Sequence, residues 1–262
     1  MKKFTAMLLV LVLALSLLTA CGGSSADSDL KYIQDKGKIV VGITDYAPMD
    51  YLDENGEWTG FDAEFARLFA DELGVECEFF VISDWGKMFL ELETKQIDAV
   101  WNGMTITEEA TLNASVTDPY VVNAQVLVMK ADVINQYDAA DKITGLAVAV
   151  ENGSAGAEQL DALGIEYTAL QTQANALMEV AAGASDACVI DLLMAGAMIG
   201  EGTSYPELTY TVQLNSEEYG VGFRVGSDLV EAFNTFWKKA YDAGTIMEVA
   251  TTYGVQESII GK

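Results

Sequence analysis

The residues of this chain with chemistry to offer stand where apolar runs end. Asp191 closes the run from Ala187 to Ile190. A carboxylate there is costly to bury unless it sits at an opening or has a partner, and it is suited to holding a cation. A local role competes with that one, an Asp capping the helix after it. Asn102, Gly103 and Thr105 directly follow the run from Ile97 to Trp101. A strand end that opens into a helix presents free N–H groups, a natural place for an anion. The Thr105 hydroxyl and the N–H of Gly103 or Thr105 would supply the donors. Thr105-x-x-Glu108 also reads as a capping box, a role that does not exclude ligand contact. Ser154, in a Gly-flanked loop before a helix, is the parallel donor from the later half of the chain.

Other chemistry is excluded early. There is no His, which argues against most metal sites and against His-based acid–base catalysis. No G-x-S-x-G elbow and no paired Cys is present, and Gly220-Val221-Gly222 is not a dinucleotide loop, because position 225 is Val. No catalytic residue, cofactor or metal is therefore expected, and the chain is not read as an enzyme. The formal charge is −26. So acidic a surface is repelled by nucleic acid and by anionic membrane. It would suit cationic solutes, but solubility outside the cell is the preferred account.

Stepping along the chain, short apolar runs alternate with amphipathic helical stretches, the pattern of an α/β protein. Lys38 to Gly42 reads as a strand, and Asn55-Gly56 as the turn of a hairpin. Phe61, Phe65, Leu68, Phe69 and Leu73 share a helical face that Gly74 ends. A strand over 75–81, a helix over 87–94 and a strand over 97–101 follow. After about Asn123 the theme restarts, with strands over 146–150 and 187–190 and a helix over 174–182. Gly220 to Arg224 reads as a returning strand, and Leu229, Phe233, Phe236, Trp237, Ala240 and Tyr241 as one face of a helix. A last short helix starts near Ile246. Trp101, inside a strand, reads as core.

The first twenty residues stand apart. Lys2 and Lys3 precede an apolar run from Met7 to Leu18, too short to span a bilayer as a mature helix and read as a signal peptide over 1–20. Leu18-Thr19-Ala20-Cys21 looks like a bacterial lipobox, which would make Cys21 a lipidated first residue. Residues 21–35 then read as a lipidated terminus and flexible tether. Cys77 and Cys188 read as inert buried thiols.

The order of motifs resembles the family 3 solute-binding proteins of amino-acid importers, typified by histidine- and lysine/arginine/ornithine-binding proteins. It is carried by Val41-Gly42-Ile43-Thr44-Asp45-Tyr46-Ala47-Pro48-Met49, Gly60-Phe61-Asp62, Asp98-Ala99-Val100-Trp101-Asn102-Gly103-Met104-Thr105-Ile106-Thr107 and Thr117-Asp118-Pro119-Tyr120. In the later half it is carried by Gly153-Ser154, the segment 186–191 and Ser216-Glu217-Glu218-Tyr219-Gly220-Val221-Gly222. The resemblance implies a two-lobe, type II periplasmic-binding-protein-like fold with two hinge crossovers, near 123–126 and 213–219. Lobe I would hold 36–122 and 219–262, and lobe II 123–218. It implies a monomer on the outer face of the cytoplasmic membrane, held only by its lipid, that hands an amino acid or similar amine to the permease of an ABC importer. Asp191 matches the position whose carboxylate takes the ligand ammonium. Tyr46 and Trp85 fall where the family places rings against the ligand, with Asp45, Asp50 and Tyr120 as weaker candidates.

One departure matters. Relatives specific for amino acids have an Arg five residues after the Thr of G-M-T-I-T, gripping the ligand carboxylate as a bidentate pair. Ala110 stands there, and no Lys or Arg occurs from Gln96 to Val128. Three accounts stay open. Helix N–H groups carry the carboxylate alone, a basic residue such as Lys87 reaches in, or the ligand has no α-carboxylate, as in a polyamine, a quaternary amine or a modified amino acid. Ligand identity is left open. The rivals from other classes are a dehydratase on the same fold and a sensor domain, and the latter would need a transmembrane segment that the sequence after Cys21 does not show.

Overall fold

The computed structural model describes residues 28–261. The signal peptide, Cys21 and the first part of the proposed tether lie outside the described residues. The rest of that tether does not: Asp29–Lys36 is a helix, α1. Ser28 accepts the N–H of Lys31 at its start, and Gly37 closes it in the left-handed conformation. Ile33 is fully buried, and Arg224 ties Asp29 to Asp98. A capped helix with an anchored face is structure, so the tether expectation fails from residue 29 onward.

The chain then builds one sheet, leaves it, builds a second and returns. The first part contains β1 (Lys38–Ile43), the hairpin β2 (Tyr51–Leu52) and β3 (Trp58–Thr59), α2 (Phe61–Leu73), β4 (Glu76–Val81), a 3₁₀ turn at Trp85–Lys87, α3 (Met88–Glu93), β5 (Ala99–Val100), α4 (Glu108–Asn113) and β6 (Ser115–Val116). β7 (Val121–Asn123) crosses to a second set: β8 (Gln125–Lys130), β9 (Val148–Glu151), α5 (Ala155–Leu163), β10 (Tyr167–Leu170), α6 (Gln173–Ala182), β11 (Ala187–Asp191), α7 (Leu192–Met198) and β12 (Leu208–Gln213). β13 (Glu217–Tyr219) crosses back to β14 (Gly222–Phe223), α8 (Leu229–Asp242) and α9 (Thr245–Tyr253). The strands expected over 97–101 and 220–224 are shorter than read, and the helix expected over 87–94 begins as a 3₁₀ turn.

Lobe I has the strand order β4-β1-β5-β14-β6, and lobe II has β10-β9-β11-β8-β12. In each, three parallel strands meet antiparallel ones. The two crossings pair with each other as an antiparallel ribbon, with Asn123 opposite Glu217 and Val121 opposite Tyr219. Helices cover the parallel strands, as the near-continuous apolar runs of β1 and β11 require. Lobe I is held by rings: Phe69 packs on Trp101, Phe223, Phe233 and Phe236, and Trp237 stacks on Phe233. Lobe II buries Leu127, Val148, Val150, Leu160 and Val189. The carboxyl ends of the parallel strands are where open α/β sheets hold ligands. Here β5, β9 and β11 all end at the cleft between the lobes.

Candidate functional site

The cleft, with walls from both lobes, is shut down to a cavity of about 30 Å³. Asp191, the last residue of β11, is buried against it. Its side chain makes no cap bond to α7, so the local role is not the one it plays. Instead Asp191 Oδ1 accepts from Asn123 Nδ2 and Gln125 Nε2, both at 2.6 Å. Gln173 Nε2 donates to Oδ2, and the same amide's oxygen accepts the Asp191 N–H at 2.8 Å. Glu217, on the returning crossover, sits behind. Its Oε1 accepts from the same two amides at 2.7 and 2.8 Å. Burial, and next the like charge of Glu217, push the Asp191 carboxyl up to about 7. A carboxylate pair bridged by amides is short of positive charge, and a cation arriving at Asp191 would supply it.

A third acid joins from the neighbouring strand. Glu151 ends β9 and lines the cavity, 3% exposed. Burial, with the charge of Asp191 second, raises its carboxyl to about 8. Its Oε1 is buried without a hydrogen-bond partner.

Lobe I contributes a turn and a ring. Asn102, Gly103 and Thr105 line the cavity, but their polar groups are engaged. Asn102 accepts the Thr44 hydroxyl at 2.6 Å and donates to Thr44 O and to Asp50 at 3.1 and 2.8 Å. The Gly103 N–H donates to Asp62 at 2.8 Å, so that donor is directed into the lobe. The Thr105 hydroxyl donates to Glu217 at 3.1 Å. Thr107 is the residue that caps α4, accepting the Ala110 N–H, so the capping box read at Thr105 is not formed. Gly103 has φ +58°, and a Cβ there would come within 2.6 Å of the Tyr46 ring and 2.9 Å of Tyr219. Tyr46 therefore lies beneath the turn, bonded to the Tyr219 hydroxyl at 2.6 Å, and is not among the lining residues. Tyr120 and Asp50 are buried below as well, and Asp45 is exposed. Trp85 does line the cavity.

The lobes meet at the rim. Asn152 Nδ2 donates to Asp84 at 2.9 Å, and Gln171 Nε2 to Ser83 O at 2.8 Å. Gly153, at φ +69°, lies so close to Gly86 that a Cβ would come within 2.5 Å of its Cα. Ser154 caps α5 through the Ala157 N–H, and it is Gly153 and Ala155 that line the cavity. Lys87 pairs with Asp84 at 2.7 Å on the outside, and Ala110 is buried. Among the described lining residues there is no Lys or Arg. The sequence reading passed over Asn123, Gln125, Glu151, Gln173 and Glu217. A Gln inside the apolar run after Asn123 and a Glu ending the run Val148–Val150 were the available signals.

Residues 39–256 match the family of bacterial extracellular solute-binding proteins, family 3. The arginine-binding extracellular protein ArtP of Bacillus subtilis is 28% identical over 253 residues, covering 94% of this chain and 95% of that protein. A solved mutant of ArgBP from T. maritima superposes with a TM-score of 0.80 at 29% identity, covering 86% of this chain and 99% of that one. An ancestral amino acid-binding protein, described as a precursor of cyclohexadienyl dehydratase, superposes with a TM-score of 0.78 at 28% identity, covering 86% and 99%.

Proposed function

The chain belongs to family 3 of the bacterial extracellular solute-binding proteins, and from that premise we propose that it captures an amino acid or related small amine between its lobes for the permease of an ABC importer. The observation that carries this reading is Asp191, turned into an inter-lobe cavity by three side-chain amides and faced by Trp85 from the other lobe. A ligand ammonium docks on Asp191, and Trp85 and the turn 102–105 form the opposite wall. Ligand touches both lobes only when they are shut, so binding shifts the population toward the shut form that a permease can read. The reading is of binding without chemistry: Asp191 is held by three amides rather than set against a nucleophile.

Calorimetry against a panel of amino acids and amines tests it. Asp191→Ala is expected to weaken the best ligand by about 2–5 kcal/mol, since an ammonium would be left buried and unpaired. Unchanged affinity retires Asp191 as a ligand contact. Lipid anchoring through Cys21 to the outer face of the membrane is part of the same proposal. Replacing Cys21 by Ser is expected to release the protein into the medium, and retention at the membrane counts against it.

A further inference from the structure

Glu151 is not bridged to Glu217 as Asp191 is; the Gln173 side chain hydrogen-bonds it, and its Oε1 is left without a partner. It ends β9 beside the end of β11, where Val150 and Val189 are register partners, so Glu151 and Asp191 open on the same space. A buried carboxyl oxygen without a partner calls for a cause, and a Gln or an apolar side chain would have avoided the cost. The other charged residues in the wall are Asp191, Glu109 from α4 and Glu158 from α5, with Glu217 behind Asp191. Among the described lining residues none is cationic. A ligand with balanced charges would set its own carboxylate among these acids and bring nothing to offset the excess. A ligand in which cations outnumber carboxylates meets both needs, because it brings N–H donors to the orphaned oxygen and charge to the group.

We propose that Glu151 is the specificity-determining residue of this cleft, selecting ligands that carry a net positive charge on N–H groups. The proposal rests on Asp191 being the docking point described above. A diamine or guanidino amine without a carboxylate has the required chemistry, and so does an amino acid with a cationic side chain. Titration calorimetry of the chain at pH 8 with agmatine, putrescine, arginine, glutamine and choline separates the possibilities. Agmatine, putrescine or arginine is expected to bind at least ~10-fold more tightly than glutamine or choline. Agmatine above arginine identifies a carboxylate-free ligand, and the reverse order an amino acid. Glu151→Gln is expected to reduce that preference to within ~3-fold while the unfolding midpoint holds, which shows that the variant folds. The proposal is overturned if glutamine binds as tightly as the cations, if no cation binds, or if Glu151→Gln keeps the preference. In the first and last cases Asp191→Ala still decides the docking role separately.

Discussion

The two lobes each bury a set of carboxylates next to the cleft, and only one set faces it. In lobe I, Asp62 accepts the Gly103 N–H and the Tyr120 hydroxyl, while Asp50 accepts from Asn102. Neither lines the cavity. In lobe II, Asp191 and Glu151 do, with Glu217 on the crossover bridging to the first. Burial raises the carboxyls in both sets, Asp62 and Asp191 each to about 7. Each set even has an orphaned oxygen, Asp50 Oδ1 and Glu151 Oε1. A perturbed buried acid is therefore not by itself a ligand site. What separates the sets is where they stand: the lobe I acids lie off the cavity, and Asp191 and Glu151 are part of its wall.

The comparison is most exposed at Asp62. Asp62→Ala leaves a buried N–H and a buried hydroxyl unmatched, and is expected to destabilise the protein by about 2–5 kcal/mol in denaturant unfolding. Asp191→Ala is expected to lower stability by less than ~1 kcal/mol, because water in the cavity can take over the amides that line it. Equal losses in the two variants would erase the distinction. Next comes the rim. Gly153→Ala places a methyl against Gly86 and forces a side chain into the left-handed region, so shutting is obstructed while each lobe stays whole. Ligand affinity is expected to fall by about 1–3 kcal/mol, with the unfolding midpoint shifting little. An affinity that survives would mean the cavity does not depend on contact between the lobes.

A smaller effect should follow pH. Asp62, Asp191 and Glu151 hold their protons more tightly in the folded chain than in the unfolded one, where carboxyls titrate near 4. Their contribution to stability is complete below that value and is lost as pH rises through about 7 to 8. The thermal midpoint is expected to fall between pH 5 and pH 8. Binding of a cation should tighten over the same window, because protons must leave Asp191 and Glu151 before they can pair with it. Asp62→Asn should leave that binding trend intact, whereas Glu151→Gln should make it shallower, leaving the part due to Asp191. A trend that tracks Asp62 instead would place the titrating group in the wrong lobe.

Much of this was legible in the residues. The hairpin at Asn55-Gly56, the Phe-lined α2 stopped by Gly74, and a carboxylate at the end of an apolar strand each follow from local rules. The crossovers came from the resemblance and not from local rules, because β7 and β13 are three residues each, too short for a period to stand out. Ser216-Glu217-Glu218-Tyr219 matched the return crossover as a motif, but that Glu217 and Tyr219 are buried and Glu218 exposed shows only once the strand is known. The placement of Tyr46 escaped for a different reason. A sequence says that a ring stands near a turn, but not on which side, and here a left-handed glycine puts the ring underneath.

The subtlest division is between the two orphaned oxygens. Burial raises both Asp50 and Glu151, and Asp50 also feels Asp62. Glu151, raised to about 8, favours the protonated form near neutral pH, and an amide of the same shape replaces either carboxyl with little change. Asp50→Asn and Glu151→Gln are each expected to alter stability by less than ~1 kcal/mol at pH 7. Their effects on binding should diverge. Asn102 stands between Asp50 and the cavity, so Asp50→Asn should leave every ligand affinity within ~2-fold, while Glu151→Gln should remove the preference for cations. If Asp50→Asn moved that preference as far as Glu151→Gln, the place of Glu151 in the cavity wall would not be what matters. The selection would then arise from the summed charge of both lobes.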